Sequence, residues 1–107
     1  MIYEYRAYYA MPGKRKNVLD RFANHTMALF ERHGIRAIGF WESEVGDNTE
    51  LIYICQYDDL NHRSAAWADF RADPEWQEVV RRTEADGPIV ARVINKILTP
   101  ASFSPLQ

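Results

Sequence analysis

The chain has 107 residues, which is the length of one domain rather than two. Thirteen basic against fifteen acidic residues leave a formal charge of -2 with no long run of one sign, which argues against nucleic acid as a partner. A single cysteine, Cys55, excludes an internal disulfide and a CxxC pair, and no run approaches the ~20 apolar residues that span a bilayer, so a cytoplasmic protein without membrane contact is expected.

The first predicted strand is Ile2 to Ala10 (IYEYRAYYA), which sets Glu4 and Arg6 inside an aromatic run. By the two-residue period of a strand, Glu4, Arg6 and Tyr8 share a face with Ile2, while Tyr3, Tyr5, Ala7 and Tyr9 share the other. After Met11-Pro12-Gly13, helical periodicity runs from Lys14 to His33 and stops at Gly34, a natural left-handed cap. Its apolar side is Val18, Leu19, Phe22, Ala23, Thr26, Leu29 and Phe30, with Asp20, Arg21, Asn24 and Glu31 largely opposite.

Ile35 to Val45 and Leu51 to Tyr57 read as a hairpin turning at Gly46-Asp47-Asn48. The second arm is apolar on both faces and reads as a central strand, whereas Arg36, Glu42 and Glu44 put the first arm nearer an edge. Asp58 or Asp59 caps a helix carrying Leu60, Ala66, Trp67 and Phe70. Asp73-Pro74-Glu75 then starts a second helical segment that buries Trp76, Val79 and Val80 and ends at Gly87-Pro88. Val90 to Leu98 is the last strand, and Thr99 to Gln107 is an extended tail.

This order predicts a single α+β domain, a ferredoxin-like βαββαβ sandwich with both helical regions on one face of a four-stranded antiparallel sheet. The other face, rich in Tyr, Val and Ile, is then uncovered. A second copy packed sheet against sheet would close a dimeric α/β barrel and cover it, so a homodimer through the sheet face is expected.

Buried charge is costly unless paired or put to use, which makes Glu4 and Arg6 the first candidates for a site. In one reading they form a structural ion pair. In the other, Arg6 fixes an anionic or carbonyl group, Glu4 orients Arg6, and the Tyr8 hydroxyl donates a hydrogen bond. Of the three histidines, His33 sits beside Gly34 where a carbonyl-capping role is ordinary, and His62 lies in the first turn of the second helix. His25, at the edge of the buried stripe, is the candidate acid or base facing a cavity between helix and sheet. Trp41 and Trp67 are candidate pocket walls. Cys55 in an apolar central strand reads as filler, and the absence of HxH, HExxH or an acidic loop predicts neither a metal nor a cofactor.

The segments IYEYRAYYAMPGK, LFERHGI, GFWESEVG, YDDLNHR, ADPEW and FSPL follow one another in the order of NIPSNAP proteins, and the chain resembles a bacterial single-domain member over nearly its whole length. The resemblance implies a ferredoxin-like dimeric α/β barrel. It draws attention to Glu4, Arg6, Tyr8, His25, His62 and Arg63 as matches to the family's recurrent polar positions. Relatives in the wider superfamily include cofactor-free monooxygenases, lyases and haem enzymes, and animal members are discussed as mitochondrial interaction proteins.

Two readings of function follow. One is a small-molecule enzyme acting on a hydrophobic or aromatic metabolite by proton transfer or cofactor-free oxygenation, with Arg6, Tyr8 and His25 catalytic and Glu4, Trp41, Trp67, His62 and Arg63 around the ligand. The other is a noncatalytic dimeric module that binds a ligand or a protein. Haem binding, the third possibility, requires an axial histidine facing an open cavity.

Overall fold

A computed structural model describes residues 1–107. Strands β1 (Ile2–Ala10), β2 (Arg36–Glu42), β3 (Glu50–Tyr57) and β4 (Val90–Leu98) form one antiparallel sheet in the order β2-β3-β1-β4. The first helical region comprises α1 (Arg15–Arg21), a π-helical turn (Phe22–Thr26) and α2 (Met27–Arg32). The second comprises α3 (Leu60–Ala72) and α4 (Pro74–Thr83). The ferredoxin-like order expected from the pattern is the one observed. No helix is long and apolar enough to cross a membrane.

Alternation along β3 shows which face the helices cover. Leu51, Tyr53, Cys55 and Tyr57 are buried, and the residues between them are only partly so. Opposite the buried set lie Tyr8, Arg6 and Glu4 of β1, paired in register with Leu51, Tyr53 and Cys55. The Glu4, Arg6 and Tyr8 face is therefore the one beneath the helices. An aromatic cluster fills the space between: Phe22 lies edge-on to Tyr8, Phe40 and Tyr53, while Phe30 meets Trp67 and Phe70. Cys55 is enclosed, and burial pushes its thiol up to about 12, which suits the inert filler expected.

Capping residues set the helix ends. Gly34, at φ +74°, closes α2 in a Schellman pattern: its N–H donates to the Glu31 carbonyl, and the Ile35 N–H donates to the Phe30 carbonyl at 2.9 Å. Asp59 caps α3 by accepting from the His62 N–H at 2.7 Å. Asp73 caps α4 by accepting from the Glu75 N–H at 2.8 Å, with Pro74 in the first turn.

Three expectations fail locally. The first helix is not uniform: its π-turn inserts an extra residue, with Thr26 Oγ1 donating to the Arg21 carbonyl. Arg21, placed opposite the apolar stripe on a regular wheel, is 7% exposed, because α4 packs along that flank and supplies a partner in Glu84 just past its end. His33 does not cap carbonyls; its Nε2 lies 2.7 Å from Asp73 Oδ2 and ties the end of α2 to the start of α4.

The opposite sheet face carries Tyr3, Tyr5, Ala7 and Tyr9. Beside them Ile38, Trp41, Ile94 and Leu98 are exposed. The tail returns over one corner of it, where the Tyr3 hydroxyl donates to the Gln107 carbonyl at 2.8 Å.

Candidate functional site

Glu4 lies at the centre of the helix-covered face and is fully buried. Its Oε1 accepts from the Tyr57 hydroxyl at 2.9 Å and from Arg63 Nε at 3.0 Å. Its Oε2 accepts from Arg6 at 2.9 Å, from Arg63 at 2.8 Å and from Asn95 Nδ2 at 2.8 Å. Burial alone would raise its pKa, but these donors, led by Arg63 and Asn95, outweigh that cost and hold the carboxyl at about 2. With both oxygens fully engaged, Glu4 is a fixed anion that positions others; it has no lone pair left for proton transfer.

Arg6 is clamped from several sides. Nε donates to the Tyr53 hydroxyl at 2.8 Å, one terminal nitrogen donates to Glu4, and the other lies 3.4 Å from the Tyr8 hydroxyl. Its guanidinium carbon sits 4.4 Å from the Trp67 ring centroid. Arg6 pairs with Glu4, as the structural reading expects, and it also lines a cleft between sheet and helices.

Hydrogen-bond direction follows from the donors. Trp67 Nε1 donates to the Tyr57 hydroxyl at 2.7 Å, and the Tyr57 O–H in turn donates a hydrogen bond to Glu4. Tyr53 accepts from Arg6 and donates to Tyr8 at 3.1 Å, and burial keeps that phenol protonated by raising its pKa well above the ordinary value. Tyr8 therefore accepts from both neighbours. Its own O–H is left to point elsewhere, and the cleft is on that side.

The cleft has a volume of about 280 Å³, at the lower end of small-molecule sites. Arg6 and Tyr8 form its floor. Phe22, Thr26 and Phe30 line it from the first helical region, and Trp67, Phe70 and Trp76 from α3 and α4. Arg21 and Arg71 complete the wall. Every charged residue facing the space is an arginine.

The structure brings together only part of the residue set read from the sequence. Arg6, Tyr8 and Trp67 line the cleft, and Glu4 and Arg63 lie directly behind Arg6. His25 does not face the space between helix and sheet: the buried stripe runs through Phe22, Thr26 and Phe30, leaving His25 half-buried in a polar groove with Asp20, Asn24, Arg82 and Asp86. His62 is also away from the cleft. Its Nδ1 accepts from the Asp58 N–H, which leaves Nε2 as the donor to the Gly34 carbonyl at 2.9 Å, a brace between α3 and the Gly34 turn. Trp41 sits on the opposite sheet face, half-exposed, with its indole over Gly39, where an added Cβ would come 2.5 Å from the ring.

Asn95, Tyr53, Tyr57 and Arg21 were not singled out from the sequence. Asn95 did leave a signal, as the single amide in the run VARVINKIL, and it is the β4 residue paired with Arg6.

Four antiparallel strands in this order, with the helices on one face and a cleft beneath them, define the ferredoxin-like α+β class. SnoaB from Streptomyces nogalater, a cofactor-independent oxygenase, shares that fold at a TM-score of 0.66 and 17% identity, over 97% of this chain and 96% of that one. The NIPSNAP family model matches residues 3–105, and the chain belongs to the NIPSNAP family. A NIPSNAP-like domain protein of Burkholderia xenovorans is 34% identical with a TM-score of 0.84, covering 97% of this chain and 88% of that one. The mouse protein NipSnap homolog 3B is 36% identical over 77 residues, 71% of this chain. The chain spans about a third of the length of such curated relatives, 30% of the mouse protein.

Proposed function

We propose that the protein is a small-molecule enzyme that binds a planar, largely apolar carbonyl compound in the cleft and stabilises its enolate. The observation that carries this reading is the Arg6–Tyr8 pair: a guanidinium locked by Glu4 and Tyr53, beside a phenol whose proton has no partner in the protein. Two such donors suit an oxygen on which negative charge develops, and they are preorganised by bonds that do not change during the reaction. A proton leaves the carbon next to the carbonyl for water, the electron pair moves to oxygen, and Arg6 and Tyr8 carry the charge. SnoaB, which shares the fold, is named a cofactor-independent oxygenase.

The test is exchange of the benzylic hydrogens of 2-tetralone in deuterated buffer, followed by proton NMR. The protein should accelerate exchange by about 100-fold or more, the usual effect of oxyanion donors. Exchange no faster than in buffer alone would contradict the proposal.

A second reading, capture without turnover, is favoured by one observation: Glu4 is saturated and no histidine reaches the cleft, so the site holds donors but no free base. Binding of 2-tetralone without accelerated exchange would select it. In either case a second copy is proposed to cover the open sheet face, where Ile38, Trp41, Ile94 and Leu98 are left to solvent. Sedimentation velocity should return the mass of two chains; a monomer at micromolar concentration would count against it.

A further inference from the structure

The cleft carries more positive charge than its own fold neutralises. Arg6, Arg21 and Arg71 face it, and Arg63 stands directly behind. Only two carboxylates answer these four guanidiniums. Glu4 serves both Arg6 and Arg63, and Glu84 binds Arg21 at 2.9 Å. The surplus is two positive charges, on a chain whose formal net charge is -2.

The four are not equivalent. Arg21 is buried, bonded also to Thr83 and stacked 5.3 Å from the Trp76 centroid, so its partners are already in place. Arg71, in the last turn of α3, is exposed at the cleft mouth, takes part in no ion pair, and holds its guanidinium 5.7 Å from the centroid of the same Trp67 ring that Arg6 overlies. One indole thus has at the floor of the cleft a hydrogen-bonded cation that shares Glu4 with Arg63, and at the mouth an unpartnered one.

We infer that the substrate of the proposed reaction is an aromatic or otherwise planar carboxylate, with its acid group on Arg71 and its reacting oxygen on Arg6 and Tyr8. The inference rests on the enolate reading of the site and adds the charge of the substrate to it. The count closes: the carboxylate supplies one negative charge on binding, and the oxyanion that develops at Arg6 supplies the second. A guanidinium at the mouth suits a carboxylate because its planar donors meet both oxygens side by side. The surplus also raises the local concentration of anions at the entrance, an effect that salt weakens.

Calorimetric titration with 2-naphthol and with 6-hydroxy-2-naphthoate separates this inference from the reading beneath it. Both offer a hydroxyl to Arg6 and Tyr8; only the second carries a distal acid. The intact protein should bind the hydroxynaphthoate about 10-fold more tightly, the size of one charge-assisted hydrogen-bond pair. Arg71→Gln should remove that advantage, bringing the hydroxynaphthoate affinity down to that of naphthol for the same variant, and leave the thermal melt unchanged, because Arg71 is exposed and makes no side-chain hydrogen bond or ion pair within the fold. Equal affinity for the two compounds, or an advantage that survives Arg71→Gln, would overturn the anionic class while the pocket reading stands. Failure of both to bind would overturn the pocket reading and this inference with it.

Discussion

Replacing Glu4 by Gln lowers the stability of the fold by about 3–5 kcal/mol, the usual penalty for removing one partner from a buried charge network. The carboxylate accepts five hydrogen bonds and balances two guanidiniums. An amide is nearly the same shape, yet its NH2 group must face Arg6, Arg63 or Asn95, all of which are donors. In a domain of this size the loss corresponds to a fall in melting temperature of roughly 15 °C or more, read by circular dichroism. The acid limb of the stability profile gives an independent measure. Glu4 is held at about 2, against 4.5 for a free glutamate, so the unfolded chain takes up its proton first as the pH falls. Its contribution is complete above the unfolded value and is lost as the pH drops through the folded one. A shift of that size is worth about 3 kcal/mol. The variant should therefore show a shallower loss of stability between those two values than the parent. A Glu4→Gln melt within a few degrees of the parent would refute the central role given to this carboxylate.

Replacing Arg6 by Met has the opposite balance of effects. Glu4 keeps Arg63, Asn95 and Tyr57, and Tyr53 keeps Tyr8, so no buried charge is stranded. The methionine stem fills most of the volume over Trp67. Stability should fall by only about 1–2 kcal/mol. The loss at the site should be far larger: removal of a preorganised donor to a developing oxyanion costs roughly 100- to 1,000-fold in rate. Chemical denaturation together with tetralone exchange on the same preparation makes the comparison. A variant that unfolds as readily as Glu4→Gln, or that keeps its exchange rate, would show that Arg6 serves the fold rather than the cleft.

The contrast between these two neighbours explains how much of the site was readable in advance. A strand with Glu4 and Arg6 amid tyrosines announced a conflict, and strand periodicity placed both on one face with Tyr8. Gly34, Asp59 and Asp73 marked helix ends because capping is local chemistry. What periodicity does not carry is pairing at a distance. The donors that saturate Glu4 come from Tyr57, Arg63 and Asn95, which reach it only through strand register and helix packing. The π-turn is invisible for a related reason. The segment FANHT holds mostly weak helix formers but no Gly or Pro, so composition does not locate the inserted residue that accompanies the burial of Arg21 and the placing of His25 in an outer groove. His62, expected beside the ligand, instead braces a turn with its two ring nitrogens, a pairing that depends on how α3 packs against the Gly34 turn.

A crystal structure of the protein soaked with 2-naphthol tests the central claim most directly. The expected result is a naphthalene ring in the cleft between Trp67 and the first helical region, with its oxygen within hydrogen-bonding distance of both the Arg6 guanidinium and the Tyr8 hydroxyl. Naphthol held elsewhere, or seated in the cleft with its oxygen turned away from that pair, would contradict it.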